Sequence, residues 1–370
     1  MPSPTDELIN IYKAAQIRLI DEITSAQARG ATGTAAYKRA ILANVNEILA
    51  ELQGQSAVWV AQNIPAEYRA GLEAANKDAD AQYKAAGQTP PTYPAEFASV
   101  HQEALRVLID DTNRTFTELI QYTGRNIDDM IADANRQAIA AKLASGSTVD
   151  QAAAILQEML VERGITAFEY KRGGQTVYMQ LDRYAAMIAR STTAEVQNQA
   201  SLLQSQEIAG DLVKMTRHSP TCPICYPLQG RVYSISGKSK GYPKLEIAYS
   251  GGYANIHPNC RHRVNPYVPA LKSTEQIAAD MAYSNRPLDV DDMSRAEQAI
   301  YQEQLDRYNK AQKANTVLRN NRDQYQRYLA RLGSDDAPKS FAGFMRMKKS
   351  DGESWRNLQA QYRALGRENG

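Results

Sequence analysis

The chain has 370 residues, 43% hydrophobic and 23% charged, with a net charge of +2. That length exceeds one ordinary core and predicts two or three lobes, while the near-neutral charge excludes bulk attraction to nucleic acid, so such binding needs a local patch. Three cysteines, an odd number, argue against a disulfide framework and for a reducing compartment, the cytoplasm.

The start, Met1-Pro-Ser-Pro-Thr-Asp-Glu, lacks the basic and apolar parts of a signal peptide, and no apolar run approaches membrane-spanning length, so neither export nor a membrane is expected. Leu8, Ile11, Tyr12, Ala15, Leu19 and Ile23 predict a helix over 6–28 capped by Thr5 or Asp6. After a break at Gly30 to Gly33, a second carries Tyr37, Ile41, Val45, Ile48, Leu49 and Leu52. A third holds Val58, Trp59 and Ile64 and is expected to end before Pro65. Gly87, Pro90, Pro91 and Pro94 predict an extended connection after an N-terminal helical lobe, 1–88.

A second helical segment, 95–165, holds a long helix through Phe97, Leu105, Leu108, Ile109, Phe116, Leu119, Ile127 and Ile131, with Gly124 as a kink or break. A shorter helix follows over 152–160, capped within Ser147 to Asp150. Phe168 to Lys171 and Thr176 to Met179 flank Gly173-Gly174 as a hairpin, followed by a helix over 181–206 and a strand over 212–216. These begin an α+β module over 166–270. The remainder, 271–370, contains a long helix over 292–332 whose thin apolar stripe (Tyr301, Leu305, Tyr308, Leu318, Tyr325, Leu329) marks a surface or intersubunit element. The fold class is therefore mainly α, elongated, with one small α+β module.

All three thiols fall in one stretch, Cys222-Pro-Ile-Cys225 and His257-Pro-Asn-Cys260-Arg-His262. Two tight turns with two-residue spacing offer the S3N donor set of a closed structural Zn2+ site, namely Cys222, Cys225, His257 and Cys260. His262 is the alternative nitrogen ligand and His218 a weaker one; His101, on an Ala/Leu-rich helix, reads as an ordinary histidine. Against the metal stands simple packing of buried thiols. A zinc deaminase lacks its H-x-E here, and a Cys/His nucleophile pair has only sequence proximity behind it. A His-Asn-His nuclease lacks a completing carboxylate or second histidine.

Gly237-Lys238-Ser239 matches the end of a phosphate loop, but Arg231 and Val232 stand where its first glycine is needed, so the stretch reads as a loop tip. Arg183, Arg190 and Glu195 read as a solvated helical face with i,i+4-type pairing rather than a catalytic set. In the tail, Arg346, Lys348, Lys349, Arg356 and Arg363 interleave with Phe344, Trp355 and Tyr362. That pattern suits a phosphate-contacting patch or a partner-docking strip, and both readings stay open.

The run from Arg183 to Ala200, then His218-Ser-Pro-Thr-Cys-Pro-Ile-Cys-Tyr-Pro-Leu-Gln-Gly-Arg-Val-Tyr and Ile256-His-Pro-Asn-Cys-Arg-His, resembles the Mu F-type head morphogenesis proteins of tailed phages, in particular the minor capsid protein 2 branch. The specific match covers 183–269. The resemblance implies a structural, multi-copy virion protein at the portal vertex of the head, assembled in the bacterial cytoplasm. Its implied partners are the portal and major capsid proteins and sometimes the genome. It carries Cys222, Cys225, His257 and Cys260, and less firmly Arg261 and His262, as signature positions; effector activity is not expected.

Overall fold

The computed structural model describes residues 3–28, 35–93, 99–145, 151–250 and 254–368. Among them are helices α1 (Pro4–Ala28), α2 (Ala35–Ala85), α3 (Ser99–Ser145), α4 (Gln151–Arg163), α5 (Leu181–Ala209), α6 (Thr274–Ser284), α7 (Arg295–Asp336), α8 (Phe341–Ser350) and α9 (Glu353–Glu368). Strands β1 (Thr166–Arg172) and β2 (Gln175–Gln180) form the expected hairpin. A separate three-stranded antiparallel sheet has the order β4-β3-β5, with β3 Leu212–Met215, β4 Val232–Ser234 and β5 Val264–Pro266. The fold is mainly α with a small β module.

Two compact units emerge, the first assembled from three chain segments and the second from two. In the first (1–58, 113–186, 315–370), Leu8, Tyr12, Leu19 and Ile23 of α1 are buried with Ile41, Val45 and Leu52 of α2 and Phe116, Leu119 and Ile131 of α3. The Tyr12 and Phe116 rings lie 5.8 Å apart, and the Tyr12 hydroxyl meets Ser56 Oγ at 2.9 Å, which satisfies a buried polar tip. Ser3, not Thr5 or Asp6, caps α1: its Oγ accepts from the Asp6 amide at 3.2 Å.

The second unit (59–112, 187–314) carries both the small sheet and the cysteines. Here α2 runs through Pro65 without ending. Ile64, Tyr68 and Ala75 are fully buried, and their burial outweighs the one backbone bond the proline removes. Gly71 lets α2 approach α5 closely, since a Cβ there would lie 2.3 Å from the Gln197 carbonyl oxygen. Gly87 (φ 70) ends the run, and the Pro90 and Pro91 stretch is non-helical as expected. Gly124 sits inside a continuous α3. The breaks predicted at Gly30 to Gly33 and Ser147 to Asp150, and Pro94, lie outside the described residues.

A Cys/His cluster as candidate metal centre

Around the sheet, Val213, Met215, Leu228, Tyr233, Leu245, Ala248, Tyr249 and Val264 make a core of its own, small enough that it gains from an additional staple. The C-x-x-C turn is wound by backbone bonds: Cys225 N donates to the Cys222 carbonyl at 3.2 Å and Tyr226 N to the same oxygen at 3.0 Å. The amides of Leu228 and Gln229 then donate to the Cys225 carbonyl. In the second turn Cys260 N donates to the His257 carbonyl at 3.0 Å, and Asn259 takes a left-handed φ of 62°, a conformation asparagine tolerates.

The turns bring five donors together in two groups that share Cys225. His257 Nε2 lies 3.2 Å from Cys222 Sγ and 3.1 Å from Cys225 Sγ; Cys260 Sγ lies 3.8 Å from Cys225 Sγ and 3.6 Å from His262 Nδ1. A tetrahedral Zn2+ with ordinary bond lengths would set S···S edges of about 3.8 Å and S···N edges of about 3.5 Å, so the donors stand near the separations such an ion needs. Each imidazole is also held from behind. His257 Nδ1 is 2.8 Å from the Pro258 carbonyl, and His262 Nε2 is 3.1 Å from Gln229 Oε1, the outer partners that orient metal-binding histidines.

Electrostatics point the same way. Hydrogen bonding from Cys225, aided by His257, pulls Cys222 down to about 4, and bonding from Cys225 and His262 pulls Cys260 down to about 3, in both cases against burial. Cys225, bonded to both sulfurs and buried, is pushed up. His257 rises to about 9 through its bond to Cys222. Two sulfurs are thus pulled toward the thiolate and the third toward the thiol by their mutual contacts, a crowding of negative charge that a dication would relieve.

Helix α5 positions the second turn. Arg190 Nε donates to Asn259 Oδ1 at 3.0 Å, and Asn259 N donates to Ser191 Oγ at 3.1 Å. Two turns on, buried Asn198 donates to the carbonyls of Ala254 (2.7 Å) and His262 (3.1 Å), and Ser201, a further turn along, to that of Val264 (2.6 Å). Arg183 pairs with Asp323, while Glu195, raised by burial, accepts from the Ala254 backbone. All three residues read as a solvated face therefore reach out of the helix into tertiary contacts.

Arg231 also escaped a functional reading. It is 2% exposed and donates to the carbonyls of Pro227, Ser284, Arg286 and Pro287 at 2.6–2.8 Å, tying the loop after the C-x-x-C turn to the end of α6. His218 stacks edge-on against His262 at 4.8 Å but joins neither donor group. His101 is buried against Tyr68, a core histidine as expected. No carboxylate joins these groups among the described residues.

In the tail, Trp355 is 5% exposed and packs on Tyr328 and Phe344, so its ring is closed to a base or a partner. Lys348 donates to Asn321 Oδ1 at 2.8 Å and Gln324 Oε1 at 2.5 Å. Arg356 donates to the Asp351 carbonyl at 3.1 Å, and Arg346, Lys349 and Arg356 are exposed.

The family model described as Phage minor capsid protein 2 matches residues 3–337, nearly the whole chain. The chain belongs to this family. Membership makes it a structural component of a phage capsid, found in the virion, and the match extends far beyond the cysteine module to α1 through α7. No curated protein and no solved structure matches the chain. No helix among the described residues is long and apolar enough to cross a membrane.

Proposed function

We propose that this minor capsid protein acts in head assembly at the portal vertex, contacting the portal and major capsid proteins in several copies per virion and catalysing no reaction. We further propose that Cys222, Cys225, Cys260 and His257 hold one structural Zn2+, with His262 as the alternative nitrogen donor. A closed set of four protein ligands leaves no position for an activated water.

The observation that carries the assembly reading is the surface of α7. Residues 309–320 are exposed without interruption, and Val317 and Leu318 are 61% and 43% exposed. A helical stretch that buries no face within its own chain is available to a neighbour. Co-expression with the portal protein, followed by affinity capture and sedimentation, tests the reading. Capture of both proteins is expected, together with at least tenfold weaker capture for Val317→Glu/Leu318→Glu. Wild-type protein that never co-sediments with portal, or a double variant that captures it equally, would overturn it.

A further inference from the structure

The loop 235–244 carries a rigid display of cations. Beneath it the Asp211 carboxylate accepts from Ser234 Oγ (2.5 Å), Ser239 Oγ (2.5 Å) and the Ser236 amide (2.6 Å), and the Ser239 amide donates to Ser234 Oγ at 3.2 Å. Asn285 Nδ2 donates to the Gly241 carbonyl at 2.7 Å, and the end of the Met281 side chain packs against Gly241, whose φ of 86° favours glycine. With its backbone tied at both ends, the loop presents Lys238, Lys240 and Lys244 to solvent.

Two of these lysines lie close together. The stem of Lys244 lies across Gly237, where a Cβ would sit 2.3 Å from its Cε, so Lys244 lies beside the residue next to Lys238. Lys38, Lys214 and Lys339 pair with carboxylates, whereas no ion pair among the described residues involves Lys238, Lys240 or Lys244. The loop's own carboxylate neighbour, Asp211, is spent on serine donors. Beside the loop, Tyr242 meets Tyr267 with ring centroids 6.1 Å apart.

We propose that loop 235–244, through Lys238, Lys240 and Lys244, binds the phosphate backbone of duplex DNA without sequence preference. Three separate ammonium groups on an exposed tip, with no guanidinium fork among them, suit phosphates spaced along a polymer better than one enclosed anion. The site is distinct from the tail, where Trp355 is buried and Lys348 is engaged. The expectation that the duplex is the packaged genome rests on the head-assembly reading; the binding itself does not.

The test is fluorescence anisotropy of the full chain with a random-sequence 30-base-pair duplex between 50 and 200 mM NaCl. Each neutralised phosphate contributes about 0.9 to the log–log salt slope, so Lys238→Gln/Lys240→Gln/Lys244→Gln should lower the slope by about 2.7. Over that range the wild type should then lose about 40-fold more affinity than the variant. The Lys→Arg triple variant should keep the wild-type slope, and so should Arg346→Gln/Lys349→Gln. No binding by the wild type, an unchanged slope in the Gln variant, an equal loss in the tail variant, or displacement by polyglutamate at equal charge concentration would overturn the proposal. Capture of portal by the Gln variant reads the assembly role separately, so either reading can fail alone.

Discussion

Adding one methyl group at Gly71 should loosen the whole cysteine module. In the structure a Cβ at this position lies 2.3 Å from the Gln197 carbonyl oxygen and 2.9 Å from Ala200 Cβ, contacts that no rotamer change relieves because both belong to α5. Reaching ordinary contact requires α2 and α5 to part by about 1 Å. The same helix donates Asn198 and Ser201 to the carbonyls of Ala254, His262 and Val264 at 2.6–3.1 Å, and a displacement of that size takes those bonds out of range. Overpacking costs about 1–3 kcal/mol and the lost buried bonds about 1 kcal/mol each, against about 1 kcal/mol gained from alanine's helix preference. The net expectation for Gly71→Ala is about 3–5 kcal/mol of destabilisation. Gly54 lies in the same helix with nothing within 4 Å, so Gly54→Ala should instead stabilise by about 0.5–1 kcal/mol. Hydrogen exchange across 254–264, run beside urea unfolding, reads both effects, with exchange expected to be faster by about 100-fold or more for Gly71→Ala. Equal stability of the two variants, or unchanged exchange in that segment, would refute the reasoning.

Elemental analysis should find about one zinc per chain in the wild type and none in Cys222→Ser/Cys225→Ser. Comparing His257→Ala with His262→Ala by the same measurement identifies the nitrogen ligand, and a metal-free wild type would count against the site. Arg231→Met should cost about 3 kcal/mol in urea unfolding, because four carbonyls lose a charged donor while only part is returned by no longer burying the cation. A loss below about 0.5 kcal/mol would mean that water replaces the guanidinium. Burial works to raise Asp211, yet the bonds from Ser234, Ser239 and Ser236 outweigh it and hold its carboxyl below the usual range. A depressed folded-state value means the unfolded chain binds the proton more readily. This contribution is therefore fully present above about pH 4 and fades as pH falls below it. The stability difference between wild type and Asp211→Asn should shrink between pH 6 and 3, and a constant difference would exclude the mechanism.

Much of this was legible because periodicity and clustering are local signals. The apolar spacing of α1, the Gly173-Gly174 turn and the Cys/His turns each lie within a few residues of what they specify. Strands β4 and β5 were not legible, since three residues carry no alternation and pairing across 232–234 and 264–266 is set only by β3 between them. Pro65 misled for a related reason: the penalty for a helical proline is local, whereas the burial of Ile64, Tyr68 and Ala75 that overcomes it belongs to the tertiary fold. Asn198 and Arg231 were equally hidden, because nothing in a sequence marks a polar side chain whose partners are carbonyls 53 to 64 residues away.

The tail shows that spacing outranks composition. Basic and aromatic residues interleaved near a terminus suggest a docking strip when counted, yet Phe341, Phe344 and Lys348, then Trp355, Leu358 and Tyr362, recur at helical intervals of three, four and seven. Folded, Phe344 and Trp355 stand edge-on at 5.3 Å, and Tyr328 stacks on Tyr362 at 4.3 Å, giving α7 the apolar partner that its thin stripe lacked. Tyr325, Tyr328, Leu329 and Leu332 are buried accordingly, so this end of α7 is closed. An aromatic residue closed into such a cluster cannot also greet a partner. The search for contacts moves to surfaces where exposed side chains meet a fixed backbone: residues 309–320 of α7 for protein, and loop 235–244 for phosphate.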